Sequence, residues 1–349
     1  MLGNEDELVE KIASEEEDEE TAVPIYKIGA YPSDPTLELL NTRWQRGEIT
    51  VQKFQRGWVW KPPQASKLVD SFLLGLPVPE IFVYRDPISE KHIVIDGQQR
   101  LRTIVGFFEG ILPDGTDFYL RNVSVQWEGK HYNDLSEAEQ RRFRNTTLRV
   151  VVIEQSDPKD NSSMYAIFER LNTGGTALTP QEVRNCVYYG PFNDLIIELN
   201  RNEQWRQIFG SNDPDKRMRD IEIIIRFLSL YEKSENYYKP MKKFLSDYMK
   251  DQRWDKNREP YQSTFVETVN RICKTLGPKP FNITRGINVA ICDSVMVAFA
   301  RSSNTPSDIT KRFQALRANL SYVDAITQHT TDADKVKNRI KLAEEILFR

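Results

Sequence analysis

The sequence predicts an α+β fold, with a mixed α/β N-terminal domain followed by a mainly helical C-terminal domain. Between residues 24 and 155, short β-branched runs alternate with apolar stripes at helical spacing. From about residue 160, helical stripes follow one another with few strand-like runs. A length of 349 residues also favours two domains. We therefore expect an acidic disordered tail at 1–22, an α/β domain at 24–158 and a helical domain at 159–349.

The charge is distributed unevenly along the chain. Residues 1–20 carry ten acidic side chains against one basic side chain, a net charge of −9. The other 329 residues carry 47 bases against 41 acids, a net charge of +6. A mildly basic body is compatible with a polyanionic partner such as DNA, for which the tail could compete. A disordered solubilising tail is the alternative.

The clearest helix of the α/β domain follows Pro62-Pro63 and stops at Gly75, since proline suits the first turn and glycine the residue after the last. A strand at Ile81–Tyr84 and a turn at Asp86-Pro87 follow. The helix has a core stripe of five apolar residues: Ala65, Leu68, Val69, Phe72 and Leu73.

The most informative segment joins a strand directly to a helix. The β-branched run His92–Ile95 predicts the strand. The helix is predicted from a stripe at i, i+3, i+4 and i+7, which is Leu101, Ile104, Val105 and Phe108. Between the strand and this stripe lie Asp96, Gly97, Gln98, Gln99 and Arg100.

The first turn of such a helix suits phosphate, because its leading N–H groups have no partner within the helix and the helix dipole is positive there. Gly97 would let a ligand approach the backbone, and the Arg100 guanidinium would match phosphate oxygens. The alternative is an ordinary helix start, with Asp96 as N-cap, Gly97 in the turn and the other polar side chains in solvent.

The rest of the α/β domain is predicted from shorter signals. Residues 123–127 alternate as in a strand that ends at the Glu128-Gly129 turn. A capping box over Ser136–Glu139 starts a short helix, and Arg149–Glu154 is expected to be a buried closing strand.

Apolar stripes and capping signals predict the helical domain. A first helix stops at Asn172–Gly175, and Thr179–Glu182 starts the next one with an N-cap, a proline and a capping-box glutamate. The stripe of the first helix is Met164, Ile167, Phe168 and Leu171. Later helices are expected at 219–232, 239–250, 286–300 and 307–319, and near the C-terminus.

Two further segments could hold an anion. An extended segment 54–60 would place four side chains on one side: Phe54, Arg56, Trp58 and Trp60. A guanidinium beside two indoles could stack a base or hold phosphate, although the tryptophans could equally be core anchors. The glycine-containing loop Asn172–Thr176 can cradle an anion or simply end the preceding helix.

A basic stripe is predicted if residues 237–256 are helical. One face would then carry Lys239, Lys242, Lys243, Lys250 and Arg253. The opposite face would carry Met241, Phe244, Leu245, Tyr248 and Met249. Such a stripe could contact DNA phosphates, but an ordinary solvated helix face has the same composition.

The composition also excludes several classes of protein. No apolar run approaches the roughly 18 residues of a spanning helix, and the N-terminus lacks the basic and apolar regions of a signal peptide, so we expect a cytoplasmic protein. Three cysteines and three histidines without ligand spacing argue against a disulfide framework, a zinc site and an HNH-type nuclease centre. A P-loop and a nucleophile elbow are absent from the sequence.

Three ordered segments together resemble the N-terminal domain of GmrSD-type restriction endonucleases, a ParB/sulfiredoxin-like domain. They are Phe54–Trp60 with the following helix and Gly75–Pro79, then Ile95–Leu101, and then Phe168–Gly175. The resemblance extends from about residue 25 to 235.

This resemblance implies a module that binds a nucleoside triphosphate and, in several members, hydrolyses it. The implied phosphate site comprises Gln55, Arg56, Asp96, Gly97, Gln98, Gln99 and Arg100, with Asn172, Gly174 and Gly175 from the third segment. Arg56 and Arg100 would offset charge developing on phosphate, and Asp96 would bind Mg²⁺, orient water or cap the helix. The sequence does not indicate which nucleotide is bound.

Members of this family often carry a second, HNH-like nuclease domain, fused or on a partner chain, for which three histidines leave no room. We therefore interpret the chain as an NTP-dependent regulatory or sensing subunit of a prokaryotic DNA restriction or anti-phage system. DNA and a separate nuclease subunit would be its partners, and self-association is compatible with the sequence. One alternative is a ParB-like DNA-binding switch without hydrolysis, and another is a DNA nickase using the same pocket.

Overall fold

In a computed structural model of the chain, the structure describes residues 28–51, 58–87, 89–155, 167, 179–283 and 286–349. The chain divides after Leu178 into an α/β unit, within Pro24–Leu178, and a helical unit, Thr179–Arg349. The predicted boundary at 158/159 lies outside the described residues. None of the described helices is long and apolar enough to cross a membrane. The prediction of a mixed α/β region in a mostly helical chain is confirmed.

Among its described residues, the α/β unit is built on a five-stranded mixed sheet with the spatial order β1-β5-β3-β4-β2. Its strands are β1 (Ile28–Ser33), β2 (Ile49–Thr50), β3 (Ile81–Arg85), β4 (His92–Asp96) and β5 (Val150–Gln155). The pairs β3–β5 and β2–β4 are parallel, whereas β1–β5 and β3–β4 are antiparallel. β4 lies between β3 and β2, so the residues that follow it leave the sheet between these two strands.

Four of the described helices pack on one face of this sheet: α1 (Leu37–Gln45), α2 (Pro62–Leu74), α3 (Gln98–Glu109) and α4 (Glu137–Asn145). Their apolar stripes share a core with alternate strand residues, which are Ile81, Val83, Val94, Val150 and Val152. As predicted, α2 starts at its prolines and ends at Gly75, whose φ of +74° is left-handed. β1 and α1 were not predicted.

The predicted strand at residues 123–127 is wrong, because this segment forms a turn. The Trp127 N–H donates to the Ser124 carbonyl at 2.8 Å, and Val125 is 94% exposed. The buried Trp127 indole donates to Glu139 Oε1 at 2.7 Å. The alternating apolar residues therefore do not form a strand, and the buried one, Trp127, anchors the turn. Its partner Glu139 also forms the predicted capping box with Ser136 at the start of α4.

The helical unit contains ten described α-helices. They are α5 (Pro180–Val187), α6 (Pro191–Leu199), α7 (Glu203–Phe209), α8 (Arg219–Lys233), α9 (Met241–Gln252), α10 (Glu259–Leu276), α11 (Val289–Arg301), α12 (Ile309–Ala318), α13 (Leu320–Thr327) and α14 (Ala333–Phe348). The predicted capping box at Thr179 starts α5. α11 begins three residues later than predicted, because the Asn288 side chain caps it.

Buried ion pairs join the helices of this unit. Asp293 of α11 accepts hydrogen bonds from Arg226 of α8 at 3.0 Å and from Arg339 of α14 at 2.7 Å. All three side chains are almost completely buried. Two more buried pairs are Arg206–Asp220 and Arg184–Glu222. Since α8 contributes to all three clusters, it is the central helix of this network.

Candidate functional site

The strand-to-helix junction predicted from the sequence is formed by β4 and α3. Gly97, with φ of +91°, is the N-cap residue of α3, and no side chain among the described residues caps the helix. The first intrahelical bond runs from the Leu101 N–H to the Gly97 carbonyl. The preceding N–H groups of the turn therefore have no intrahelical acceptor. The alternative that Asp96 is the N-cap does not agree with this geometry.

Gly97 is required by packing as well as by its backbone conformation. A Cβ built on Gly97 would lie 2.3 Å from Ile81 Cγ2 and 3.0 Å from Arg100 Nη2. A side chain here would therefore collide with β3. Packing thus requires glycine at this position, independently of the expected approach of a ligand. The close contact with Ile81 fixes the first turn of α3 against the sheet.

Arg100 is engaged by the protein itself. Its Nη2 donates to Asp96 Oδ2 at 2.7 Å and to the Glu80 carbonyl at 3.0 Å. The Arg100 side chain is 18% exposed and that of Asp96 36%. Asp96 and Arg100 thus form a partly shielded pair, in which Asp96 neutralises much of the charge that Arg100 would offer to phosphate.

Several polar atoms around this turn are buried without a hydrogen-bond partner among the described residues. They are Trp58 Nε1, Gln98 Oε1, Arg100 Nε and Arg102 Nε. The segment that contains Trp58 contacts the turn, because the Val59 N–H donates to Gln99 Oε1 at 3.3 Å. Buried polar atoms are normally satisfied, and leaving one unsatisfied costs about 1–3 kcal/mol. Such a concentration at one helix end favours a polar ligand.

Arg102 is a candidate site residue that the sequence reasoning missed. It lies one turn after Gln98, on the same side of α3. Its guanidinium is 5.9 Å from the centre of the Trp44 ring, and burial lowers its pKa from the ordinary value. Within the described ranges it has no carboxylate partner. A partly desolvated arginine without a counter-ion is a suitable anion partner.

The structure describes only part of the predicted nucleotide site. It brings Asp96, Gly97, Gln98, Gln99 and Arg100 together at the turn. Outside the described residues lie Gln55, Arg56, Asn172, Gly174 and Gly175, together with Phe54 and, apart from residue 167, the helix predicted before Asn172. Trp58 and Trp60 are partly buried against the α/β core, with ring centres 6.4 Å apart.

The basic stripe predicted around α9 differs in the structure. The expected apolar face is buried, at Met241, Phe244, Leu245, Tyr248 and Met249. Arg253, however, is itself buried and cannot belong to an exposed face with the lysines. Lys239 pairs with Asp332 at 2.8 Å and Lys243 with Asp247 at 2.5 Å. Lys242 is half-buried and Lys250 is exposed, so the surface carries mixed charge.

Residues 37–189 match the family model of the GmrSD restriction endonuclease N-terminal domain. The match contains the β4–α3 junction and continues through α5 into the helical unit. A comparison with curated proteins finds no match. The family suggested by the three sequence segments is confirmed, and residues 37–189 belong to the family of GmrSD restriction endonuclease N-terminal domains.

Proposed function

We propose that this chain binds a nucleoside triphosphate at the first turn of α3 and hydrolyses it, as a regulatory or sensing component of a prokaryotic DNA restriction or anti-phage system. The family match supports a role in a restriction system, because the matched family is the N-terminal domain of a restriction endonuclease. The nucleotide is supported by the geometry at Gly97. We further propose that the α/β unit is ParB/sulfiredoxin-like and that DNA and a separate nuclease subunit are partners.

The observation that carries the nucleotide proposal is the set of unsatisfied polar groups at one helix end. Backbone N–H groups, the Arg100 Nε and the Trp58 indole N–H are all donors, as phosphate oxygens require. Gln98 can turn its amide so that the NH₂ group replaces the oxygen. Arg102 adds a positive charge that no described carboxylate neutralises. The oxygens of a bound triphosphate would accept hydrogen bonds from those of these donors that they reach.

Hydrolysis would use the carboxylate that precedes the turn. The bond from Arg100 holds Asp96 in place, where Asp96 can orient a water molecule or bind Mg²⁺. No group of three metal-binding side chains is found in the parts of the chain that the structure describes. One carboxylate can suffice, because Mg²⁺ at phosphate sites takes its other ligands from the triphosphate and water. Bound Mg²⁺ would neutralise charge on the phosphates.

Phosphate release from purified full-length protein tests this function. The protein is incubated with Mg²⁺ and each common NTP in turn, with and without plasmid DNA. We expect release from at least one NTP, and a loss of about tenfold or more in Arg102→Met and Arg100→Ala, because a charge-assisted hydrogen bond to phosphate contributes about 1.5–3 kcal/mol. Arg142→Met, at an exposed arginine of α4, is the matched control and should keep the rate.

The outcomes separate the alternatives. Binding of an NTP without release would favour the DNA-binding switch and contradict hydrolysis. Nicking of the plasmid without NTP would favour a nickase. Failure of every NTP to bind the folded protein would contradict the nucleotide site itself.

A further inference from the structure

An exposed tryptophan follows α9 on a rigid support. Trp254 is 49% exposed, and the buried Arg253 guanidinium lies 4.6 Å from the ring centres of both Trp254 and Tyr189. Arg253 Nε donates to the Tyr189 carbonyl at 2.8 Å. A Cβ at Gly190 would lie 2.6 Å from the Arg253 carbonyl oxygen, so the two backbones are in close contact. About half of the indole is therefore presented to solvent in a fixed position.

The charges around Trp254 favour an anionic partner. Lys250 and Lys256 lie four residues before and two residues after Trp254, and both are exposed. Neither lysine forms an ion pair within the described parts of the chain. The acidic residues of the segment are engaged by other groups, in the pairs Asp251–Lys233 and Asp255–Tyr261, each at 2.9 Å. Two free cations thus flank the exposed ring.

We propose that this surface, made of Lys250, Trp254 and Lys256, binds single-stranded DNA, with one unpaired base stacked on Trp254. A tryptophan face accepts any base, and neighbouring lysines contact the phosphates on either side of it. An apolar protein surface fits less well, because lysine is depleted from protein–protein interfaces. Arg253 acts beneath the ring as its support and does not itself contact DNA. The proposal does not depend on the nucleotide site at α3.

Fluorescence anisotropy with labelled oligo-dT tests the proposal on the full-length protein. We expect Trp254→Ala to weaken binding about tenfold and Trp254→Phe to restore most of the affinity, because stacking needs only an aromatic face. Affinity falls as the salt concentration rises, and Lys250→Gln and Lys256→Gln should each make the slope of log affinity against log salt shallower by about 1. Tyr238→Ala, at an exposed tyrosine before α9, is the control and should bind normally.

An oligonucleotide of abasic sites isolates the stacking contribution. It keeps the phosphates and lacks the bases, so wild type should bind it more weakly than oligo-dT. Trp254→Ala should bind the abasic oligonucleotide as tightly as wild type binds it. Equal binding of oligo-dT by wild type and Trp254→Ala would overturn the proposal. So would an equal effect of Trp254→Ala on both oligonucleotides, because the tryptophan would then not contact a base. Unchanged far-UV circular dichroism and NTP binding of the variant distinguish these results from misfolding and from failure at α3.

Discussion

The two units of this protein differ in how the charge of their buried arginines is compensated. In the helical unit, the buried charges of Arg226 and Arg339 both meet Asp293, and their helices are joined by these bonds. In the α/β unit, charged pairs lie nearer the surface, and the polar atoms buried at the start of α3 include several without a partner among the described residues. The buried guanidinium charges of Arg226 and Arg339 are therefore compensated within the helical unit, whereas the charge of Arg102, near the start of α3, has no carboxylate partner among the described residues.

This difference separates stability from binding. A buried ion pair that is complete contributes structural specificity, and removal of one partner leaves an uncompensated charge. An incomplete polar cluster lowers the stability of the free protein, and a ligand that completes it regains that free energy on binding. The comparison predicts that substitutions in the Asp293 cluster reduce stability, whereas a suitable substitution at Gln98 reduces only binding.

The largest effect is expected for Asp293→Ala. It would leave the guanidinium groups of Arg226 and Arg339 buried without a counter-ion, at a cost of about 3–5 kcal/mol in the free energy of unfolding. Urea denaturation followed by circular dichroism measures this cost. Asp251→Ala is the control, because its pair with Lys233 is exposed and worth less than about 1 kcal/mol. Similar effects of the two variants would contradict the structural role of the buried pair.

A smaller loss, of about 3 kcal/mol, is expected for Gly97→Ala. The substitution combines a left-handed backbone with a collision against Ile81, and each contributes about 1–2 kcal/mol. Gly110→Ala at the other end of α3 isolates the backbone contribution, since Gly110 has φ of +76° and no atom within 4 Å of a Cβ. Thermal unfolding of both variants gives the difference. If they are equally stable, the close contact of Gly97 with β3 has no energetic importance.

The comparison is sharpest at Gln98. Replacement by leucine, which is similar in size, removes a buried oxygen that has no partner within the described part of the chain, so the free protein should be unchanged or more stable by up to about 1 kcal/mol. The same variant should lose its stabilisation by NTP in a thermal-shift assay. A clear loss of stability without nucleotide would mean that Gln98 has a structural role and that the cluster is already complete.

The smallest effect concerns the pH dependence at α4. Hydrogen bonds from Ser136 and Trp127 lower the pKa of Glu139 from its ordinary value of 4.5 to about 2. Since the folded pKa lies below the unfolded one, this stabilisation is complete above about pH 4.5 and is lost as the pH falls towards 2. The difference in urea midpoint between wild type and Glu139→Gln should therefore shrink between pH 5 and pH 3. A constant difference would show that Glu139 does not titrate in this way.

Local signals explain how much of the structure could be predicted. The prolines and Gly75 delimit α2, the capping boxes at Ser136 and Thr179 start helices, and the β4–α3 junction lies where the apolar pattern changes. Each of these depends on residues a few positions apart, so the sequence alone contains the signal. The short edge strand β1 lacks such a signal, because its side chains are mostly exposed.

Long-range contacts explain what could not be predicted. Arg100 bonds to Asp96, four residues away, but also to the Glu80 carbonyl, which immediately precedes β3, and only the second contact needs the tertiary fold. The burial of Arg253 depends on Tyr189, which is 64 positions distant. The absence of a carboxylate near Arg102 among the described residues is likewise a property of the packed helices. The sequence therefore predicted the position of the turn before α3, but not that the positive charge of Arg102 remains available there.

The central claim is that phosphate completes the polar cluster at the first turn of α3, and hydrogen exchange tests it most directly. Amide exchange of full-length protein is measured with and without Mg²⁺ and the NTP that stabilises it most. We predict slower exchange at the N–H groups of residues 98–100 in wild type and no such protection in Gln98→Leu. Protection confined to another surface, or equal protection of this turn in both proteins, would contradict the account.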